Sequence, residues 1–232
     1  MIKYYENTDE FYQGSEAWLA ARCGLLTASE MKLIITPTLK TAANEKTRAH
    51  VYELLAQRVT KYVEPSYIGD DMLRGYDDEI TARDLYRKHV APVTEMGFIT
   101  NDKWGFTLGF SPDGLVGDDG FIECKSRRQK FQFEVLIECV KSQKIPADYL
   151  MQQQTGHLVS ERGFCDFLSY SGGIGMPVIR VYPDDKVMNA IVEAAGEFER
   201  TLSEKWVQYV DALNSGVLII DTERKVEEDM VI

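Results

Sequence analysis

Asp113, Glu123 and Lys125 surround a glycine-rich turn in the stretch SPDGLVGDDGFIECKS, residues 111–126. In an extended strand, side chains two apart share a face, so Glu123 and Lys125 project together while Cys124 points away. The short turn brings the chain back, so that Asp113 can sit beside Glu123. Two carboxylates and a backbone carbonyl make a hard, all-oxygen site of the kind that suits Mg²⁺ or Mn²⁺. A lysine next to such an ion can orient or help deprotonate a water and offset charge on a phosphoryl transition state. Those are the parts that phosphodiester hydrolysis requires. The same residues also fit a charged surface hairpin, because Asp-x-Gly after proline is a common turn and Glu-x-Lys on an exposed strand is usually a solvated pair. Phe121 and Ile122, just before Glu123, favour a carboxylate set among apolar neighbours.

The elements that must hold these groups follow from periodicity. GSEAWLAARCGLLTASEMKLIIT reads as a helix, a turn at Gly24 and a second helix capped near Thr27. Residues 44–62 place Val51, Leu54, Leu55 and Val59 on one helical stripe. DDMLRGYDDEITARDLYRKHV is a further helix, closed by Pro92. The period then changes: VTEMGFIT, WGFTLGF and GFIECKS are short aromatic and β-branched runs between turn signals, and read as antiparallel strands. IPADYLMQQQTGHLVSERG returns to helix, with Asp148 as the expected N-cap and Gly163 past its end. FCDFLSYS and MPVIRVYP are two more strands, and a long amphipathic helix runs from Asp184 to Gly216. The expected fold is α/β, a single domain with a central mixed β-sheet flanked by helices. Within residues 1–232, the strands and long helix of the last third span 164–216 and an acidic tail spans 217–232.

Composition narrows the classes. The chain of 232 residues carries 26 Lys and Arg against 37 Asp and Glu, a net charge of −11. Such a balance alone opposes a nucleic-acid partner, but a basic groove can coexist with acidic outer faces. The basic run CKSRRQK, adjoining Lys125, is one such local concentration. Cys23, Cys124, Cys139 and Cys165 show no CxxC spacing, which argues against a zinc or iron–sulfur site and for reduced thiols in a cytosol. No apolar run long enough to span a membrane is present, and MIKYYENTDEFYQGSE is too polar for a signal peptide. Only three histidines occur, and none pairs with a motif serine.

Four stretches, in order, resemble one family: the phage lambda exonuclease-like (YqaJ-type) recombination nucleases of the PD-(D/E)xK superfamily. They are GSEAWLAARCGLLTASEM, LRGYDDEITARDLY, FSPDGLVGDDGFIECKS and YLMQQQTGHLV, within residues 14–160. The resemblance implies a restriction-endonuclease-like nuclease core. It implies Asp113, Glu123 and the Cys124 carbonyl as metal ligands, with two Mg²⁺ (or Mn²⁺) ions per site, Lys125 as the catalytic lysine and Glu79 near the second metal. Arg22, Ser29 and Ser111 would form a pocket for the 5′-phosphate of a DNA end, with Tyr149, Gln152 and Gln154 on a helix beside the active site. It further implies 5′-to-3′ digestion of linear duplex DNA, leaving 3′ single-stranded overhangs. The enzyme would be a homotrimer acting with a single-strand-annealing recombinase in the cytoplasm of a bacterial host, and of phage or prophage origin. Lys40 is a candidate minor-groove residue, and Met72 and Leu73 are candidates for an apolar wedge at the duplex end.

Each residue also has a plainer role open to it. Glu79 could be a solvated i,i+4 partner of Arg83, Arg22 a helix C-cap, and the glutamines ordinary helix residues. Trp18 and Trp206 read as core, and His50, His89 and His157 as structural or surface. The rival functions are a structure- or sequence-directed endonuclease of the same superfamily and a non-catalytic DNA-end-binding recombination protein. A small acidic metal-binding module would leave three of the four stretches unexplained.

Overall fold

The computed structural model describes residues 1–65 and 69–224 of the chain. In order, the elements are β1 (Ile2–Glu6), α1 (Glu16–Arg22), β2 (Leu26–Thr27), a 3₁₀ turn (Ala28–Leu33), α2 (Glu45–Thr60), α3 (Asp70–His89), β3 (Met96–Asn101) and β4 (Leu108–Phe110). β5 (Gly114–Val116), β6 (Gly120–Ser126), α4 (Gln129–Glu134), α5 (Ala147–Ser160), β7 (Phe164–Tyr170), β8 (Val178–Val181) and α6 (Asp185–Leu213) complete it. The α/β class and the helical flanks agree with the periodicity. The expected central sheet is divided into two four-stranded mixed sheets, β1-β3-β4-β2 and β5-β6-β7-β8, joined by a bridge between Thr94 and Leu115. Of the tail 217–232, residues 225–232 lie outside the described residues.

Strand β6 is interior to the second sheet. It pairs antiparallel with β5 and parallel with β7, where Glu123 faces Phe167 and Lys125 faces Ser169. Its alternation divides two cores. Phe121 packs into the larger one with α5 and α6, while Ile122 and Cys124 pack with Ala82 and Tyr86 of α3. The face that carries Phe121 therefore also carries Glu123 and Lys125.

Helix α5 approaches that face closely. Phe110 and Phe121 meet edge to face at 5.1 Å, and Phe121 meets His157 in the same way at 5.0 Å. Gly156 lies on this contact, and a Cβ there would come within 2.9 Å of both phenylalanine rings. Absence of a side chain at residue 156 thus sets how near α5 sits to β6.

Several expectations are corrected. Asp148 is not the N-cap of α5: the cap position is Pro146, the helix begins at Ala147, and Asp148 lies in its first turn. Trp206 is 44% exposed rather than in the core, because α6 runs past its last packed residue, Leu202. Trp18 is buried, as expected, and of the histidines read as structural or surface, His50 and His157 are buried and His89 is exposed. Strand β1 and helix α4, which winds into a π turn at Val135–Cys139, carry no periodic signal long enough to read.

Gly156→Val should cost about 1–3 kcal/mol by overpacking the α5–sheet contact. Urea unfolding should show a lower midpoint with an unchanged slope, and an unchanged midpoint would show that α5 does not need this close approach.

Candidate active site

The pairing of β5 with β6 covers only Gly114–Val116 against Gly120–Ile122. Beyond it the strands part, and the N–H of Cys124 turns to an edge with no ladder partner. The carboxylate of Asp113 takes that place, accepting the N–H through Oδ2 at 2.5 Å. Because the N–H and C=O of one strand residue project to the same side, the Cys124 carbonyl faces the same edge. The turn expected from the sequence does bring Asp113 to Glu123.

Glu123 is 1% exposed. Its Oε1 accepts from Lys125 Nζ and from Gln152 Nε2, each at 2.5 Å. Its Oε2, equally buried, has no partner among the described residues. Leaving such an oxygen unmatched costs about 1–3 kcal/mol or more for a charged group. Burial, and then the charges of Glu123 and Glu79, hold the Asp113 carboxyl well above the usual carboxylate range. Burial likewise raises Glu79, against the pull of Arg83 at 3.6 Å and with help from Glu123. For Lys125, burial opposes the charge, but Glu123 and Asp113 outweigh it and hold the ammonium above the usual lysine range. The site has a surplus of carboxylate charge and one bare buried oxygen, which fits a hard divalent cation. The Cys124 side chain packs with Ala82 and Tyr86 on the opposite face of β6, so its sulfur is turned away from the carboxylates.

These groups line a cleft of about 320 Å³ together with Arg22, Ser29, Ser111, Tyr149 and Gln152. Arg22 leaves the last turn of α1 but does not cap that helix. Its Nη2 lies 3.3 Å from Thr27 Oγ1 and 3.5 Å from Glu30 Oε1, and its guanidinium lies 4.4 Å from the centre of the Trp18 ring. Thr27 and Glu30 form a capping box, which fixes the 3₁₀ turn that presents Ser29. Arg83 donates to the Asp113 carbonyl at 2.9 Å and so ties α3, with Glu79, to the metal-type hairpin. The Tyr149 ring has Lys125 Nζ 5.4 Å and the Arg127 guanidinium 5.1 Å from its centre.

Gln154 is not brought to the cleft. Its Nε2 donates to the Tyr182 carbonyl and its Oε1 accepts the Asp184 N–H, so it secures the junction from β8 to α6. Residues two apart on a helix lie about 200° apart around the axis, so Gln152 and Gln154 cannot serve one face. Lys40, Met72 and Leu73 are exposed and lie outside the cleft lining. Lys32 and Asp148 do line it, and were missed in the sequence. The available signal for Lys32 was its place one turn beyond Ser29.

The fold and the site together define a nuclease-type α/β domain with a carboxylate–lysine centre. The profile of the YqaJ-like viral recombinase domain matches residues 17–162, and the chain belongs to that family. Among solved structures it is similar to an alkaline exonuclease, LHK-Exo, from Laribacter hongkongensis, at 29% identity and a TM-score of 0.73 over 88% of this chain and 100% of that one. The structure of LHK-Exo in complex with dAMP matches at 30% identity, with the same TM-score and coverage. A phage-related exonuclease from Haemophilus somnus 129PT shares the fold at 13% identity and a TM-score of 0.52, over 78% of this chain and 96% of that one. No curated protein sequence matches. No helix among the described residues is long and apolar enough to cross a membrane.

Two outcomes follow from this geometry. Asp113→Asn should stabilise the metal-free protein at pH 7 by on the order of 1 kcal/mol, as relief of a local charge conflict commonly does. The sign is set by the raised folded-state pKa of Asp113: its carboxylate costs stability as pH rises above the unfolded value near 4, so the gain should shrink toward pH 4. Denaturant melts across this range check it, and a variant less stable at pH 7 would contradict it. Separately, Gln152→Ala should lower turnover about tenfold with little change in stability. Gln154→Ala should instead lose about 1–3 kcal/mol of stability while keeping turnover per folded molecule. The reverse pattern would place the functional glutamine wrongly.

Proposed function

We propose that the protein is a divalent-metal-dependent deoxyribonuclease that digests linear duplex DNA from its 5′ end and leaves 3′ single-stranded overhangs for phage-type recombination. The observation that carries this reading is the convergence of Asp113, Glu123 and Lys125, with Glu123 Oε2 unmatched, in a cleft that also holds Arg22. Membership of the recombinase family supports it, as does similarity to a relative named as an alkaline exonuclease, also known in complex with dAMP.

The residues divide the work along the cleft. Asp113, Glu123 and the Cys124 carbonyl would hold Mg²⁺ or Mn²⁺, two ions per site, with waters completing the shell. No three His, Cys, Asp or Glu side chains among the described residues converge tightly enough to hold an ion unaided. When bound, the ions supply Lewis acidity to the phosphoryl group and lower the pKa of a water. Lys125, held by Glu123, offers its ammonium to the non-bridging oxygens, where negative charge grows in the transition state. Gln152 fixes the side-chain rotamer of Glu123. Arg22 supplies a planar, always-charged fork suited to a terminal phosphate, with Ser29 and Ser111 beside it. Assembly as a homotrimer, action with a single-strand-annealing recombinase and residence in the host cytoplasm belong to the same proposal.

Linear 5′-phosphorylated duplex DNA and closed circular DNA, each with Mg²⁺ or with EDTA, test it. Only the linear form should be lost, only with metal, and Glu123→Gln should lower the rate at least about 10²–10³-fold. Cutting of closed circles would replace the reading with an endonuclease. End binding without hydrolysis would replace it with a binding protein.

A further inference from the structure

Trp18 lies 7% exposed against the cleft, and the chemistry above gives it no role. Its indole N–H can donate but cannot accept. That N–H is shared between Ser111 Oγ at 3.0 Å and the Gly97 carbonyl at 3.2 Å. A serine hydroxyl has one hydrogen and two lone pairs, so contact with Trp18 uses a lone pair and turns the hydrogen elsewhere. Among the described residues that hydrogen has no acceptor, and Ser111 lines the cleft. On its ring face the same indole carries the Arg22 guanidinium at 4.4 Å, a cation–π contact that limits how far the fork can swing.

Ser29 is in the opposite condition. Thr27 Oγ1 gives its single hydrogen to Glu30 Oε2 at 2.7 Å, because a carboxylate can only accept. Thr27 thus has no hydrogen to give in its 3.2 Å contact with Ser29, and Ser29 is the side able to donate there, to an oxygen that Arg22 Nη2 also approaches at 3.3 Å. Its hydroxyl hydrogen has an acceptor at hand in Thr27, and serving an anion means giving that contact up. Of the two cleft serines, Ser111 is the one whose hydrogen has no acceptor among the described residues, and the Trp18 N–H orients it by filling a lone pair.

We propose that Trp18 is a positioning residue for the terminal phosphate: its N–H presets Ser111 as a donor into the cleft while its ring holds Arg22 for the same anion. The inference rests on the proposed 5′-end reading. It adds that selectivity for a phosphorylated end depends on an indole N–H that never meets the DNA, and that Ser111 contributes more to it than Ser29.

Trp18→Phe keeps an aromatic face for Arg22 and removes only the N–H. Replacing Trp18 with β-(3-benzothienyl)alanine does the same at nearly constant volume, should phenylalanine impair folding. Initial rates are measured on duplexes with 5′-phosphate and with 5′-hydroxyl ends for wild type, both replacements, Ser111→Ala, Ser29→Ala and Trp18→Phe/Ser111→Ala. Wild type should prefer the phosphate. The Trp18 replacements and Ser111→Ala should each lose about tenfold of that preference, through KM rather than kcat. The double variant should lose no more than Ser111→Ala alone, and Ser29→Ala should lose less. Wild-type preference retained in both Trp18 replacements would overturn the inference, as would losses that multiply in the double variant. A wild-type enzyme indifferent to the phosphate would overturn the 5′-end reading itself, and the inference with it.

Discussion

A carboxylate that is almost wholly excluded from water, at the middle of an interior strand, is the constraint to which the rest of the structure answers. Glu123 cannot move without moving β6, and β6 is held by β5 on one edge and β7 on the other. Its charge is met by Lys125 and Gln152 on one oxygen and by nothing among the described residues on the second. Asp113 adds a second buried carboxylate at the point where β5 leaves the ladder, and α3 brings the half-buried Glu79 to the same cleft. Such crowding is expensive for a fold without a cation, and the proposed divalent ion would relieve it. The close seating of α5 over Gly156 then becomes intelligible, since it is α5 that delivers Gln152 to Glu123.

The same cleft answers the objection raised by the net charge of −11. Acidic residues predominate over the chain and in the cleft itself, where Glu79, Asp113, Glu123 and Asp148 outnumber Arg22, Lys32 and Lys125. A phosphate would be met by those basic residues only once a bound cation offsets the carboxylates; Arg127 stacks on Tyr149 beside the cleft. Local geometry, rather than total charge, decides what a phosphate meets on approach. One cleft thus carries carboxylates suited to a metal and, with them, a guanidinium and hydroxyls suited to a terminal phosphate. The proposed hydrolase, starting from a DNA end, would need both.

The sequence made the site more legible than the surroundings, for physical reasons. The period of two on a strand is rigid, so Glu-x-Lys after Phe-Ile was enough to put Glu123 and Lys125 on one face, and a short turn was enough to return Asp113. On a helix the same spacing of two scatters side chains to opposite sides, which is why Gln154 reads beside Gln152 in the motif yet binds the Tyr182 carbonyl behind it. Asp148 resembles a cap by type, but Pro146 takes the cap position two residues earlier and leaves Asp148 in the first turn, lining the cleft. Trp206 continues an apolar helical pattern past Leu202, the last α6 residue packed into the core, and periodicity alone cannot tell where a partner surface stops. The division into two sheets depends on where β4 and β5 part, a tertiary matter with no local signature.

The central claim is that the unmatched oxygen of Glu123 and the carboxylate of Asp113 exist to bind a divalent cation. The most direct measurement is calorimetric titration with Mn²⁺, without DNA, on wild type, Asp113→Asn and Glu123→Gln. Saturable binding to wild type that is lost in both variants is the predicted result. Equal binding to all three proteins, or none to wild type, would contradict the account at its root.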